Sequence, residues 1–225
     1  MTLRLTFIFA LLLLAQAAVA DVTVTYMNCA PGGQHHIAMS EGNPVANDVL
    51  MGVYNWDDYY SDAIYQTFCI DAETLAGNDA VTYACVPLTE ARATPGLTSG
   101  QLSAYRAYLL EALWGQHHAQ TATNEGAIAF GLAVYEIVYD GEQMDYSSGL
   151  LAPAYDFEGG IFDGSNAGAS AIWPMTKSML NSLDYYGMST SLIAWAADGG
   201  QDQITEDDTP TATSESSWGE LKSLY

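Results

Sequence analysis

The stretch from Asn124 to Asp140, NEGAIAFGLAVYEIVYD, is apolar at nearly every position, which limits where it can sit in a fold. With Asn124 as a cap, Glu125 to Tyr139 is expected to form a helix, and a helix that is apolar nearly all round belongs in the middle of a core. Val134, Tyr135, Ile137, Val138 and Tyr139 favour sheet, but the unbroken run is long for a strand.

The segments before it have a different period. VTVTYM (22–27), HHIAM (35–39), MGVYNW (51–56), AIYQTFCI (63–70) and AVTYACV (80–86) are short β-rich runs separated by Gly, Pro, Asn and Asp. They predict an antiparallel sheet. Leu102, Tyr105, Leu109 and Leu113 then recur at helical spacing behind Thr98-Ser99, giving an amphipathic helix over 99–118. A third helix is expected over 169–185, with Pro174 early in it, followed by a strand over 191–197. Strands, then helices, then a returning strand indicate an α+β domain.

Residues 1–20, MTLRLTFIFALLLLAQAAVA, have a basic Arg4, an apolar run and Ala18-Val19-Ala20 before Asp21. This is the pattern of a secretory signal peptide, and the apolar run is shorter than a bilayer core requires. The expected organisation is a signal peptide over 1–20, one α+β domain over 21–201 and an acidic Ser/Thr-rich tail over 202–225. The tail ends in Trp218, Leu221, Leu224 and Tyr225 around Lys222, read as either a docking element or a sorting signal. No later segment is expected to span a membrane. With 27 Asp and Glu against 5 Lys and Arg, net charge −22, the surface repels nucleic acid and phosphorylated ligands. Cys29, Cys69 and Cys85 would enter an oxidising compartment, where one pair can form in three ways and leave one thiol over.

Four segments taken in order, GVYNW (52–56), TFCID (67–71), AIAFGLAVYEIVYD (127–140) and GGQDQI (199–204), resemble a family of secreted bacterial surface proteins. Members often carry PEP-CTERM sorting tails and look related to the thioester domains of surface adhesins. The resemblance runs from about Gly52 to Ile204 and implies a thioester-domain-like fold, an antiparallel β-sandwich or barrel-like sheet with an inserted helical part. It also implies a chemistry in which a cysteine thiol condenses with a glutamine carboxamide on the helix. The cysteine position is Cys69. The family's glutamine position is Gly131, and its tryptophan is Tyr135. Gln66, Gln101, Gln116, Gln120 and Gln143 lie outside that register, so the resemblance implies the fold more than the bond. Glycine inside a helix costs roughly 1 kcal/mol against alanine, and close packing of Gly131 on the cysteine-bearing strand would offset it. Cys69 is then expected either as a small buried hydrophobe or paired with Cys85, with Cys29 left over.

Other residue groups are weaker signals. His35-His36 and His117-His118 lack metal-site spacing, and adjacent side chains on a strand point to opposite faces. The loop holding Asp156, Glu158, Asp163 and Asn166 offers hard oxygen ligands of the kind calcium accepts, in a chain where acidic runs are ordinarily solvated. No other cofactor is expected. There is no G-x-S-x-G elbow, P-loop or Rossmann glycine pattern, and with so many carboxylates a suitably spaced pair carries no information. The expected role is a non-enzymatic, secreted or cell-surface structural or adhesion protein. Its partner would be an extracellular protein or glycan, met by Trp56, Tyr59 and Tyr60 beside Asp57-Asp58, unless these aromatics belong to the rim of the core. The alternatives are a calcium-dependent carbohydrate-active enzyme, or a covalent thioester adhesin that uses another glutamine.

Overall fold

Short β-rich runs can bury one face only by pairing, and here they pair into a ring. The computed structural model describes residues 21–39, 46–71, 79–91, 102–140, 162–163, 171–184, 186–197 and 200–207. In chain order the elements are β1 (Val22–Met39), β2 (Ala46–Asp58), β3 (Ile64–Cys69), β4 (Val81–Pro87), α1 (Ala104–His117), α2 (Asn124–Asp140), β5 (Phe162–Asp163), α3 (Ile172–Asn181), β6 (Leu192–Ala196) and β7 (Gln203–Glu206). Strand β1 pairs with β2, β2 with β3, β3 with β7, β7 with β6, β6 with β4 and β4 with β1, all antiparallel. The ring closes at Val24, whose Cα partners are Asp58 of β2 on one side and Val81 of β4 on the other. The two-residue β5 adds to the far end of β1. The α+β class expected from the sequence is the one observed.

A six-stranded ring encloses room for side chains and little else. Aromatic rings fill it. Trp56 meets Tyr26 edge-on at 5.5 Å and Tyr83 at 5.7 Å, while Trp195 meets Tyr65 at 5.2 Å and Tyr83 at 5.8 Å. The first three of these contacts are edge to face and the fourth is tilted, and such pairs stabilise beyond the area that each ring buries.

Helix α2 occupies the place its composition requires, with every residue from Gly126 to Asp140 buried. It packs on β1, β2, α1 and α3. Across its flank Phe130 touches Phe68 of β3 at 4.6 Å, and Trp114 of α1 joins both rings. The cap is not the residue expected. Thr123 Oγ1 accepts the Gly126 N–H at 3.1 Å, whereas Asn124 Oδ1 reaches across to the Gly32 N–H of β1 at 3.1 Å. Helix α1 likewise starts later than predicted, with Ser103 Oγ accepting the Arg106 N–H.

Two further expectations are corrected. VTVTYM and HHIAM form one strand, β1, because Pro31-Gly32-Gly33 is absorbed as an irregularity in pairing with β2 rather than as a turn. Gly32 stands opposite Gly52, and any Cβ on either would collide with backbone of the facing strand, so glycine is required at both. Gln203–Glu206, expected at the start of the tail, is β7 and joins β3 to β6. Residues 208–225 and residues 1–20, the expected signal peptide, lie outside the described residues.

Candidate functional site around Cys69

Strand periodicity sets this site. Thr67 and Cys69 sit two residues apart on β3, and their partners on the neighbouring strands are Tyr54 of β2 and Gln203 of β7. In-register partners share a face, so these side chains gather at one end of the ring. Gln201, two residues before Gln203, joins them, and Tyr135 reaches in from α2.

The polar groups form one directed chain. Trp56 Nε1 donates to Thr67 Oγ1 at 2.8 Å, Thr67 donates to Gln203 Oε1 at 2.9 Å, and Gln203 Nε2 donates to Gln201 Oε1 at 3.1 Å. Gln201 Nε2 then donates to the Asp71 carbonyl at 3.1 Å, which also receives the Cys69 thiol at 2.9 Å. The Asp71 N–H returns a bond to Cys69 Sγ at 3.2 Å. Tyr135 hydrogen-bonds Cys69, and Tyr54 hydrogen-bonds Gln201 while donating to the Leu50 carbonyl at 2.7 Å. Thr67 and Gln203 are wholly buried, and Cys69, Gln201 and Tyr135 nearly so. Buried amides of this kind persist only when satisfied, so the chain specifies the geometry of this end of the ring.

Burial pushes the Cys69 thiol well above its ordinary value, with the carboxylates of Asp71 and Asp202 adding to the effect and Tyr135 opposing it. Burial likewise raises Tyr135, Tyr54 and Tyr83. At neutral pH the site therefore holds a thiol and phenols rather than anions, which suppresses nucleophilic attack from Cys69.

Gly131 is packed closely, but not on the cysteine-bearing strand as expected. A Cβ there would lie 2.6 Å from Met51 Sδ and 3.6 Å from the Gly52 nitrogen, so the glycine fits α2 against β2. One turn further along the helix, Tyr135 is the side chain that meets Cys69. Cys69 and Cys85 do not pair: all three cysteines are free. Strands β3 and β4 are separated by β7 and β6, on opposite sides of the ring, at least roughly 10 Å apart given ordinary strand spacing, beyond the reach of a disulfide.

Trp56 is no surface contact, since it is 0% exposed and bonded to Thr67. Tyr59 and Tyr60 are exposed at the tip of the β2–β3 hairpin. In the proposed calcium loop only the backbone of Asp163, within β5, is described, and Asp156, Glu158 and Asn166 lie outside the described residues. No group of three or more His, Cys, Asp or Glu suited to a metal occurs among the described residues. His118 stacks on Trp114 at 4.4 Å. His117 Nε2 lies 3.2 Å from Ser182 Oγ, an arrangement that superficially suggests a nucleophile and base. Ser182, however, donates to the Met179 carbonyl at the end of α3, and Gln120 Nε2 approaches His117 Nδ1 at 3.0 Å. With Nδ1 accepting, Nε2 carries the proton and donates to Ser182, so His117 is not placed to take a proton from it.

Gln201 and Gln203 enter the resemblance within GGQDQI, but the sequence assigned them no part in the site. Their signal was present as Gln-x-Gln, a period-two spacing that puts two amides on one face of a strand.

The chain matches no protein-family model, no curated protein and no solved structure.

Among the described residues no helix is long and apolar enough to cross a membrane.

Proposed function

We propose that this is a secreted or cell-surface bacterial protein of structural or adhesive type, thioester-domain-like in fold, that acts by non-covalent contact rather than catalysis. The observation that carries the reading is what α2 offers to Cys69: a phenol from Tyr135, with Gly131 turned to Met51, and no carboxamide from that helix. A buried, protonated thiol bonded to the Asp71 carbonyl is a structural group. Export rests on the leader pattern of residues 1–20.

Intact mass of the unreduced full chain as secreted, with thiol alkylation, tests this. The expected result is a mature N-terminus at Asp21, no mass deficit and three thiols titratable after unfolding. Before unfolding, Cys29 and Cys85 should react slowly at about pH 8, because burial pushes each up to about 11, and Cys69 should not react. A deficit of two hydrogens, or of one ammonia, would overturn the free-thiol reading.

One observation favours a second reading, a covalent adhesin using another glutamine. Cys69 and Gln201 share the Asp71 carbonyl as acceptor, and Gln201 Oε1 already receives an N–H from Gln203. In that reading the Cys69 sulfur adds to Gln201 Cδ, the amide nitrogen leaves as ammonia with the thiol proton, and a thioester remains. It predicts the ammonia deficit, a methylamine adduct on Gln201, and loss of both in Cys69→Ala.

A further inference from the structure

We propose that the tip of the β2–β3 hairpin, residues 57–64, is a docking surface for a cationic protein segment, one presenting Lys or Arg side chains. This deepens the adhesion reading by naming the chemistry of the partner, and rests on it. Three large apolar side chains are exposed together at this tip, Tyr60 at 81%, Tyr59 at 62% and Ile64 at 59%; Tyr186 and Met188 are exposed elsewhere, without a comparable run of flanking carboxylates among the described residues. Most of the described tyrosines and tryptophans elsewhere are packed into the core.

The tip is also held in shape. The Asp58 N–H bonds the Ala63 carbonyl at 3.0 Å and the Tyr59 N–H bonds Thr23 of β1 at 2.9 Å, tying the hairpin to its neighbour. The Tyr60 N–H donates to Asp58 Oδ1 at 2.7 Å, and the two rings stand edge to face at 5.1 Å. Rings already ordered lose little freedom on binding, which is how tyrosine-rich contact surfaces gain affinity.

Charge selects the occupant. Asp57, Asp58 and Asp62 flank the tyrosines with no basic residue between positions 57 and 64. The Tyr60 N–H, more than any other group, holds the Asp58 carboxyl below the usual range, and the Tyr65 hydroxyl donates to its other oxygen at 3.1 Å, so Asp58 stays ionised while Asp57 and Asp62 are the exposed carboxylates that meet a cation. A tyrosine face beside carboxylates suits a guanidinium or ammonium, which can lie over the ring and bond the carboxylate. A second copy of this chain is disfavoured, since each carries a net charge of −22. A neutral glycan would use a ring face but gain little from three carboxylates.

The test is binding of a short peptide of alternating Arg and Gly to the full-length mature protein at about 0.15 M salt, near physiological ionic strength. Tyr59→Ser/Tyr60→Ser should weaken binding about tenfold, within the range of two lost cation–π contacts. Glu90→Gln/Glu125→Gln, which removes two exposed charges just after the end of β4 and at the start of α2, should change it less than about twofold, as expected for screened long-range charge. Unchanged binding in the tyrosine variant would reveal diffuse attraction to the acidic surface and overturn the proposal. So would absence of peptide binding, or tip-dependent binding of chito-oligosaccharide in place of peptide. Tip-dependent peptide binding with an ammonia deficit at Cys69 would instead sink the non-covalent reading and leave this surface standing.

Discussion

Gly131 shows how one residue divides the fold from the chemistry. Its missing side chain lets α2 approach β2 until a Cβ would stand 2.6 Å from Met51 Sδ. Gly131→Ala should gain helix propensity of roughly 1 kcal/mol yet lose more to overpacking, for a net destabilisation on the order of 1 kcal/mol in urea unfolding. In a Met51→Ala background the same change should become neutral or stabilising, because the thioether that blocks the site is gone. Additive effects of the two substitutions would show that Met51 is not the obstacle. That a glycine in this helix needed close packing was legible in the sequence. Which strand it packed on was not, because the helical spacing says which residues share a face and nothing of what that face meets.

At the scale of elements, α1 and β7 are joined by Trp114 and His118. Trp114 Nε1 donates to Glu206 Oε1 at 2.7 Å, and the His118 ring stacks on the indole. Burial holds His118 below its ordinary value of 6.5, with Glu206 opposing, and burial moves His117 the same way. The unfolded chain therefore binds these protons more readily than the folded one. The resulting stability is whole above 6.5 and declines as pH falls through the depressed folded values. The urea midpoint should drop between about pH 7.5 and about pH 5.5, and His118→Gln should flatten part of that drop. An unchanged slope in the variant would assign the effect to other groups. The element types were readable from period and turn residues: β3, α1, α3 and β6 fall within stretches so predicted, while β1, β2, β4 and α2 overrun theirs. The boundaries were less so. Pro31-Gly32-Gly33 reads locally as a turn, and only pairing with β2 shows it to be an irregularity inside one strand.

Over the whole molecule, closure of the ring sets an acidic shell around an aromatic interior. Like charges on a compact surface repel more than on an expanded chain, so a net charge of −22 opposes folding. Raising sodium chloride from about 0.02 M to about 0.2 M should raise the thermal midpoint, since the screening length falls from roughly 20 Å to below 10 Å. A midpoint that is flat or falls with salt would mean that attractive pairs outweigh the repulsion. The ring also explains the cysteines. Proximity in sequence favoured Cys69 with Cys85, but the order β3-β7-β6-β4 inserts two late strands between them. What the sequence determined alone was the set of elements and their apolar faces, because period, turn chemistry and helix composition are local properties of the chain. Tertiary structure decided the company of Cys69. Gln201 and Gln203 reach it only because β7, more than 130 residues further along, pairs beside β3. That contact depends on strand order, and strand order is set by how the whole ring packs.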